Sequence, residues 1–349
     1  MPVAEENPPQ TRTTSPLEVC SMLLLGVDAG GSTTLAALAD ETGQVLALAS
    51  AGPGNFQGPG VEAARAEVKK SMDLALAQAG VDSGAITSAY FGMAGADRPR
   101  DFELVRELLT PIVPPGARWG FENDALLGLW AGTKTGVGVA VICGTGTNVV
   151  GLNAQGTKVQ VGGMGTLFGD YAGGSYIGAQ ALARSQRGAE GRGEPTMLHG
   201  VLCEYYQVDD LLDLVDWIYA GKSLNLARLA PLVVEAAAQG DAVAWEILFE
   251  VGEELAVSAL AAVERLFQPG ERVEVVAMGS VFQKARHPLM YDAFAKRLAD
   301  SEYEIQVQLL KAEPVAGAIF AAAAQAGLAV SDEFARRVEE SMQDFLPKE

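Results

Sequence analysis

Cysteine, histidine and basic residues are all scarce in this chain of 349 residues. The three cysteines, Cys20, Cys143 and Cys203, are odd in number and widely spaced, which argues against a disulfide framework and against a CxxC metal site. The two histidines, His199 and His287, lie far along the chain from the glycine-rich turns described below, so an imidazole base is not expected. A proton acceptor in a catalytic site is therefore expected to be a carboxylate.

Positive charge and long apolar runs are lacking as well. Lys and Arg number 25 against 44 Asp and Glu, and the resulting net charge of −19 argues against a nucleic-acid-binding surface. Apolar runs such as 137–143 have the length of a strand, far short of the roughly 20 residues that span a bilayer. Residues 1–21 predict a flexible tail, without the basic start and apolar core of a signal peptide. We expect a cytoplasmic protein without a nucleic-acid or membrane partner.

Glycine is abundant, with 40 residues, and two glycine-rich hairpins share one layout. GVDAGGSTT begins at residue 26 and ICGTGTNVV at residue 142, and each follows an apolar run. The spacing is repeated, because Gly31 to Gly144 and Gly43 to Gly156 are both 113 residues. This regularity predicts a duplicated unit of strand, turn and strand.

The composition of the two turns predicts a phosphate site. Glycines let backbone N–H groups approach an anion, and the short hydroxyls of Ser32, Thr33, Thr145 and Thr147 can point at anionic oxygens. A single turn of this kind is more often only a turn, whereas two in register favour a shared ligand. The pattern differs from the P-loop and from the GxGxxG dinucleotide turn. The net charge implies that a nucleotide is held by backbone dipoles and a metal ion.

The segment between the hairpins contains the candidate catalytic residue. The strand-like run ARWGF is followed by Glu122, Asn123 and Asp124 and then by the helical pattern ALLGLWAGT, which places Asp124 at a strand-to-helix junction. Asn123 or Asp124 could simply cap that helix. Because the histidines are remote, Asp124 is also the candidate to accept a proton from an attacking hydroxyl. Both readings stay open at this point.

Other segments suggest further contacts. Residues 162–178 contain seven glycines in seventeen positions, and their one carboxylate, Asp170, could accept hydrogen bonds from sugar hydroxyls or only solvate a mobile lid. Gly279 and Ser280 form a predicted strand-to-helix corner, suited to a flat purine or to a plain tight turn. Helices are predicted over 61–79, from an N-cap at Asp241, and from Pro314.

Eight motifs taken in order carry a family resemblance. They are DAGGSTT, GNF at Asn55, FGMAGADRPRD, ENDA, CGTGTN, GGMGTLFGD, AMGSVF and PVAGAI, across residues 23–327. Together they resemble the BadF/BadG/BcrA/BcrD ATPase group of the actin, hsp70 and hexokinase superfamily, and within it the N-acetylglucosamine kinases. The resemblance implies an α/β fold of two ribonuclease H-like (actin-like ATPase) domains that close on ATP, Mg²⁺ and an amino sugar, in an expected homodimer.

The expected domains are a tail over 1–21, a first domain over 22–133 and a second over 134–330 that contains a helical insertion around 196–238. Residues 331–349 are expected to form a C-terminal helix and tail. The resemblance assigns the catalytic base to Asp124 and Mg²⁺, usually through water, to Asp28. The implied nucleotide contacts are Gly30, Gly31, Ser32, Thr33, Gly144, Thr145, Gly146, Ala237, Gly279 and Ser280. The implied sugar contacts are Asn55, Asn123, Asp124, Asn148, Gly163, Met164 and Asp170.

Two positions depart from the family pattern. Met164 and Tyr171 stand where the N-acetylglucosamine kinases usually have Trp and Glu, which removes a rigid platform and a hydrogen-bond acceptor beside the sugar. The expected reaction is phosphorylation of the 6-hydroxyl of N-acetylglucosamine, with glucosamine and N-acetylmuramic acid as alternatives. A further alternative is an ATPase that activates an iron–sulfur dehydratase, but Cys20 and Cys143 are not placed to hold a cluster. A sugar-sensing regulator lacks support, because the proline-rich tail is too short for a helix-turn-helix.

Overall fold

A computed structural model describes residues 22–283 and 287–346. The described residues form ten strands in two sheets of five. The first sheet contains β1 (Leu23–Ala29), β2 (Thr34–Asp40), β3 (Val45–Ala51), β4 (Ser88–Met93) and β5 (Arg118–Glu122). The second contains β6 (Gly138–Cys143), β7 (Thr147–Leu152), β8 (Lys158–Val161), β9 (Arg272–Met278) and β10 (Glu304–Leu309).

The two sheets have the same topology. The first has the order β3-β2-β1-β4-β5 and the second has β8-β7-β6-β9-β10, so every strand has a counterpart. In each sheet three antiparallel strands are continued by two strands parallel to the first. The carboxyl ends of the three parallel strands therefore meet at one edge, where open α/β sheets bind ligands. The shared strand order confirms the duplicated unit that the glycine spacing predicts.

The duplication extends to single hydrogen bonds in the turn between the second and third strand of each sheet. The Gly43 N–H donates to the Asp40 carbonyl at 3.1 Å, and the Gly156 N–H donates to the Asn153 carbonyl at 3.0 Å. The Oδ1 atoms of Asp40 and Asn153 each accept two further backbone N–H groups of their own turn. Gly43 and Gly156 have φ of +85° and +80°, a left-handed conformation that favours glycine.

Helices cover both sheets and confirm three local predictions. α1 has the predicted bounds, the side chain of Asp241 caps α8 by accepting the Ala244 N–H at 2.8 Å, and Pro314 is the first residue of α11. The helices are α1 (Val61–Ala79), α2 (Pro99–Leu109), α3 (Asp124–Thr133), α4 (Gly174–Ala189), α5 (Leu198–Tyr206), α6 (Asp213–Tyr219), α7 (Ala230–Ala238), α8 (Ala242–Leu266), α9 (Ser280–Gln283), α10 (Leu289–Ala299), α11 (Pro314–Ala326) and α12 (Asp332–Met342).

Two helices are exchanged between the sheets. α3 follows β5 of the first sheet, yet its Leu126 and Leu129 pack with Ala140 and Val276 of the second. Leu127 lies against Gly92 of β4 in the first sheet. α11 follows β10 of the second sheet, yet it packs on β1 and β4 of the first. The two helices touch at Gly317, where an added Cβ would lie 1.9 Å from the Leu127 carbonyl oxygen. This close helix pair joins the two halves next to the edge at which the parallel strands end.

No described helix combines the length and the apolar character that crossing a bilayer requires.

Candidate active site

The first sheet brings four polar side chains to its ligand edge. Asp28 lies near the end of β1, Asp97 follows β4, and Asn123 and Asp124 follow β5. These three strands are parallel neighbours, with Asp28 paired to Gly92 of β4. Their side chains meet because the carboxyl ends of parallel strands share one edge of the sheet.

The two predicted phosphate turns have matching hydrogen bonds. The Gly30 N–H donates to the Thr33 carbonyl at 3.0 Å, and the Gly144 N–H donates to the Gly146 carbonyl at 2.9 Å. The first turn contains four residues and the second three, because Ala29 pairs with Thr34 whereas Cys143 pairs with Thr147. An added Cβ at Gly31, Gly144 or Gly146 would meet nothing within 4 Å, so both turns present open backbone that phosphate oxygens can approach.

Among the hydroxyls of these turns, that of Thr147 does not point at a phosphate site, and this prediction is wrong. Its Oγ1 donates to the Ile142 carbonyl at 2.9 Å, across the hairpin that β6 and β7 form. The hydroxyl is therefore committed to the protein backbone. Ser32, Thr33 and Thr145 are exposed at the tips of the turns, and their contact with phosphate stays a prediction.

The second turn is supported from two sides. The Gly174 N–H, at the start of α4, donates to the Gly144 carbonyl at 2.7 Å, which places a helix N-terminus beside the turn. Gly279 approaches the strand end so closely that a Cβ would lie 2.5 Å from the Cys143 carbonyl oxygen, and its φ is +99°. The structure thus brings Gly279 and the adjoining Ser280 next to the second turn.

Two more predicted contacts lie in different surroundings. The Asn55 N–H donates to the Gly30 carbonyl at 3.3 Å, so the GNF segment lies directly beside the first turn. Ala237 belongs to α7, where its side chain is 5% exposed within the hydrophobic core that covers the second sheet. Its contact with an adenine base stays a prediction.

Asn123 caps α3 and thereby leaves Asp124 available for chemistry. The buried Asn123 Oδ1 accepts the Ala125 N–H at 2.9 Å, and the Asp124 Oδ1 shares that donor at 3.0 Å. Burial and, to a smaller extent, the charge of Asp97 raise the pKa of Asp124 to about 6, against the effect of its backbone hydrogen bonds. A carboxylate that titrates this close to neutrality is suited to act as a general base.

Asp28 lies near two other carboxylates, those of Asp124 and Glu313. Burial, followed by the charges of Asp124 and Glu313, raises its pKa to about 8. A divalent cation would relieve this repulsion, and Mg²⁺ typically binds through one or two carboxylates together with phosphate oxygens and water. In the described part of the chain no three His, Cys, Asp or Glu side chains form a metal cage. Glu313, at the N-cap of α11, is a neighbour that the sequence analysis missed.

Replacing Asp28 with Asn is expected to raise the melting temperature of the ligand-free protein by several degrees near pH 8. The folded-state pKa of about 8 lies above the ordinary 3.8, so the native state holds an extra proton between these values and wild-type stability falls as pH rises through that window. The variant lacks this titration, so its advantage should be absent below about pH 4. Thermal unfolding from pH 4 to 9 measures the difference in melting temperature between the two proteins, with Asp82→Asn, at an exposed position, as the control. Parallel curves of melting temperature against pH for wild type and Asp28→Asn would contradict the expectation.

The sugar side of the predicted site contains a buried acceptor without a partner. Asn148 Oδ1 is buried and makes no hydrogen bond, and a Cβ at Gly163 would lie 2.7 Å from it. Such an atom can accept a bond from a ligand hydroxyl. Asp170 stabilises the neighbouring loop, since its Oδ2 accepts the Gly165 N–H, while the side chain of Met164 is 45% exposed on that loop.

Asp97 and Gln160 are site residues that the sequence analysis missed. Asp97 Oδ1 accepts hydrogen bonds from Asn123 Nδ2 at 2.9 Å and from Gln160 Nε2 at 3.3 Å. Asp97 lies within the FGMAGADRPRD motif, a few residues after a strand-like run, and that position was the available signal for a site residue. The parallel pairing with β1 and β5 is seen only in the structure. Gln160 reaches the site from β8 of the second sheet, and no local pattern indicates it.

The described cysteines do not resemble cluster ligands. Cys143 is buried at the end of β6, and burial raises the pKa of its thiol to about 12, which disfavours the thiolate that binds iron. Cys203 is only partly buried on α5, and Cys20 lies outside the described residues.

Comparison with known proteins shows where this chain belongs. It is 31% identical over 244 residues to the N-acetyl-D-glucosamine kinase of Dictyostelium discoideum, covering 67% of this chain and 76% of that one. It is 28% identical over 301 residues to an N-acetylmuramic acid/N-acetylglucosamine kinase of Clostridium acetobutylicum, covering 86% and 97%. A solved structure of a proposed N-acetylglucosamine kinase from Chromobacterium violaceum superposes with a TM-score of 0.66 at 25% identity, covering 85% and 98%.

These likenesses and the paired sheets confirm the α/β fold of two ribonuclease H-like, actin-like domains. Residues 25–323 match the BadF/BadG/BcrA/BcrD ATPase family. The matched segment contains both glycine turns, the carboxylate edge and the Gly279 corner. The chain belongs to the BadF/BadG/BcrA/BcrD ATPase family.

Proposed function

We propose that the protein transfers the γ-phosphoryl group of ATP to the 6-hydroxyl of N-acetylglucosamine. The protein is an ATP-dependent sugar kinase. The observation that carries transfer to a hydroxyl is the placement of Asp124, a carboxylate of near-neutral pKa at the edge that also bears Asp28 and Asn123. The names of the relatives support N-acetylglucosamine as the sugar. We also propose that the protein is a homodimer and that it lies in the cytoplasm. Light scattering measures the mass of the particle in solution and so tests the dimer.

In this proposal each residue has one task. Asp124 accepts the proton of the attacking hydroxyl, and Asn123 and Asn148 orient the sugar. The two glycine turns hold the triphosphate from opposite sheets, and Asp28 holds Mg²⁺, which supplies positive charge to the phosphate oxygens when bound. Because phosphoryl transfer proceeds through a loose transition state, positioning and charge stabilisation account for most of the rate. Closure of the two halves on the sugar excludes water and limits ATP hydrolysis.

A second candidate substrate is N-acetylmuramic acid. The name of the Clostridium acetobutylicum relative includes this sugar, and the alignment covers 86% of our chain. The lactyl ether requires extra room, and Met164 is a flexible, half-exposed side chain where the family usually has a rigid Trp. Glucosamine is a third candidate, because the loss of an acceptor at Tyr171 changes the polar surroundings of the sugar.

Coupled ADP release tests the proposal. We expect ATP and Mg²⁺ to give a kcat/KM for N-acetylglucosamine roughly tenfold or more above those for glucosamine, glucose and N-acetylmannosamine, with N-acetylmuramic acid as the nearest competitor. The 6-deoxy analogue of N-acetylglucosamine should bind without being phosphorylated. Equal ADP release with and without every sugar would contradict the kinase, and turnover of the 6-deoxy analogue would contradict the 6-hydroxyl.

A further inference from the structure

We propose that Asp97 is a positioning residue of the phosphoryl transfer, and that Gln160 of the second sheet holds it in place. This inference rests on the proposed function, since it concerns the geometry of the same site. Asp97 follows β4 and does not belong to the set of residues that hold the nucleotide, the metal or the sugar in that proposal. Its carboxylate instead contacts Asn123, which orients the sugar in that proposal, and Gln160.

The hydrogen bonds of Asp97 fix the orientation of Asn123. A carboxylate only accepts hydrogen bonds, so the Asn123 amide must present Nδ2 to Asp97 Oδ1, at 2.9 Å. The amide oxygen is thereby turned to the start of α3, where it accepts the Ala125 N–H at 2.9 Å. A rotated amide would place its NH₂ group against the Ala125 N–H and lose both bonds. Asp97 thus favours the amide orientation in which Asn123 Oδ1 faces the helix, together with the Ala96 carbonyl, which accepts from Nδ2 at 3.4 Å.

The same network extends to the base. The Ala125 N–H lies 2.9 Å from Asn123 Oδ1 and 3.0 Å from Asp124 Oδ1, so both oxygens compete for one donor. If Asn123 rotates, the Ala125 N–H turns fully to Asp124 and its carboxylate shifts with it. A proton acceptor is useful only within hydrogen-bond reach of the attacking hydroxyl, and small displacements are costly in rate. Asp97 therefore acts on the position of Asp124 through Asn123, in addition to the direct effect of its charge on Asp124.

Gln160 joins this network from the second sheet. Its Nε2 donates to Asp97 Oδ1 at 3.3 Å and to the Gly162 carbonyl at 3.4 Å. Lys158, two residues earlier and hence on the same face of β8, forms an ion pair with Glu122 of the first sheet. The two side chains connect β8 to the edge that bears the base. Since Gly162 begins the glycine-dense loop, Gln160 links the position of that loop to Asp97.

Steady-state kinetics of four variants tests this role. Asp97→Asn should lower kcat about 10- to 100-fold, because its hydrogen bonds lose the carboxylate charge and because the new amide can also donate, which allows the Asn123 amide to rotate. The KM for ATP should stay within about threefold. Gln160→Ala should mainly raise the KM for N-acetylglucosamine, by roughly 3- to 10-fold. Gln160→Glu should also lower kcat, because it sets a second carboxylate against that of Asp97. Combining Asp97→Asn with Gln160→Glu should recover part of kcat, because an amide and a carboxylate face each other again.

Gln78→Ala is the matched control, since this glutamine of α1 also links two elements, through the Leu48 N–H at 3.2 Å, but within the first sheet. It should leave kcat and both KM values unchanged. Thermal unfolding accompanies each variant, and if Asp97→Asn fails to fold, the Gln160 variants still decide. If the wild type is active but Asp97→Asn keeps its kcat, the positioning role alone is overturned. The same holds if the kcat of the double variant is no higher than that of either single variant. A wild type without sugar-dependent ADP release overturns the proposed function and this role together.

Discussion

Asp124→Ala is expected to lower kcat by about 10²- to 10⁴-fold, the usual contribution of a general base. Burial and Asp97 raise the pKa of this carboxyl to about 6, so at pH 7 it is mostly ionised and still basic enough to accept a proton. The affinity for ATP should change little, because the phosphate turns lie at the ends of β1 and β6, while Asp124 begins α3. ADP release measures kcat, and calorimetric titration with an ATP analogue measures binding.

Two control variants separate this role from charge and folding. Asp124→Asn keeps the shape and a hydrogen-bond acceptor for the Ala125 N–H, so it should fold as the wild type does and be nearly as inactive as the alanine variant. Asp82→Ala removes an exposed carboxylate that caps nothing with its side chain, and should retain full activity. Retention of most of the turnover by Asp124→Ala would show that another group accepts the proton.

Gly317→Ala is expected to reduce the free energy of unfolding by about 2–3 kcal/mol. The new Cβ would lie 1.9 Å from the Leu127 carbonyl oxygen and 2.8 Å from the Ala131 nitrogen, so it meets backbone that no rotamer change can move. The melting temperature should fall by roughly 5–10 °C. Activity should fall as well, because the displaced helix is α3, which begins with Asp124.

Gly200→Ala is the matched control for that substitution. Gly200 is also helical, in α5, and an added Cβ would meet nothing within 4 Å. Since alanine is the better helix former, this variant should be as stable as the wild type or slightly more stable. Equal melting temperatures for the Gly317 and Gly200 variants would contradict the close packing of α3 against α11.

Features that depend on local sequence were predictable. The constant spacing of Gly43 and Gly156 predicted the duplication because each glycine occupies a turn that only a left-handed residue can close. The amphipathic pattern gave α1 its observed bounds, and the carboxylate of Asp241 capped α8 as expected. The placement of Asp124 at a strand-to-helix junction followed from the change in hydrophobic period at Asn123.

Features that depend on long-range contacts were not predictable. Asp97 meets residues 26 and 63 positions away in the chain, and a single sequence contains no signal for such pairs. The exchange of α3 and α11 between the sheets is invisible to periodicity, because an apolar helix face looks the same whichever sheet it covers. The hydroxyl of Thr147 illustrates a third limit: residue type indicates that it can donate, but only the hairpin geometry decides to which acceptor.

A crystal structure with a non-hydrolysable ATP analogue, Mg²⁺ and N-acetylglucosamine tests the central claim most directly. We expect the phosphates between Gly30–Thr33 of the first turn and Gly144–Gly146 of the second, Mg²⁺ near Asp28, and the sugar 6-hydroxyl within hydrogen-bond distance of Asp124. A nucleotide bound away from either turn, or a sugar whose hydroxyls lie beyond the reach of Asp124, would contradict the account.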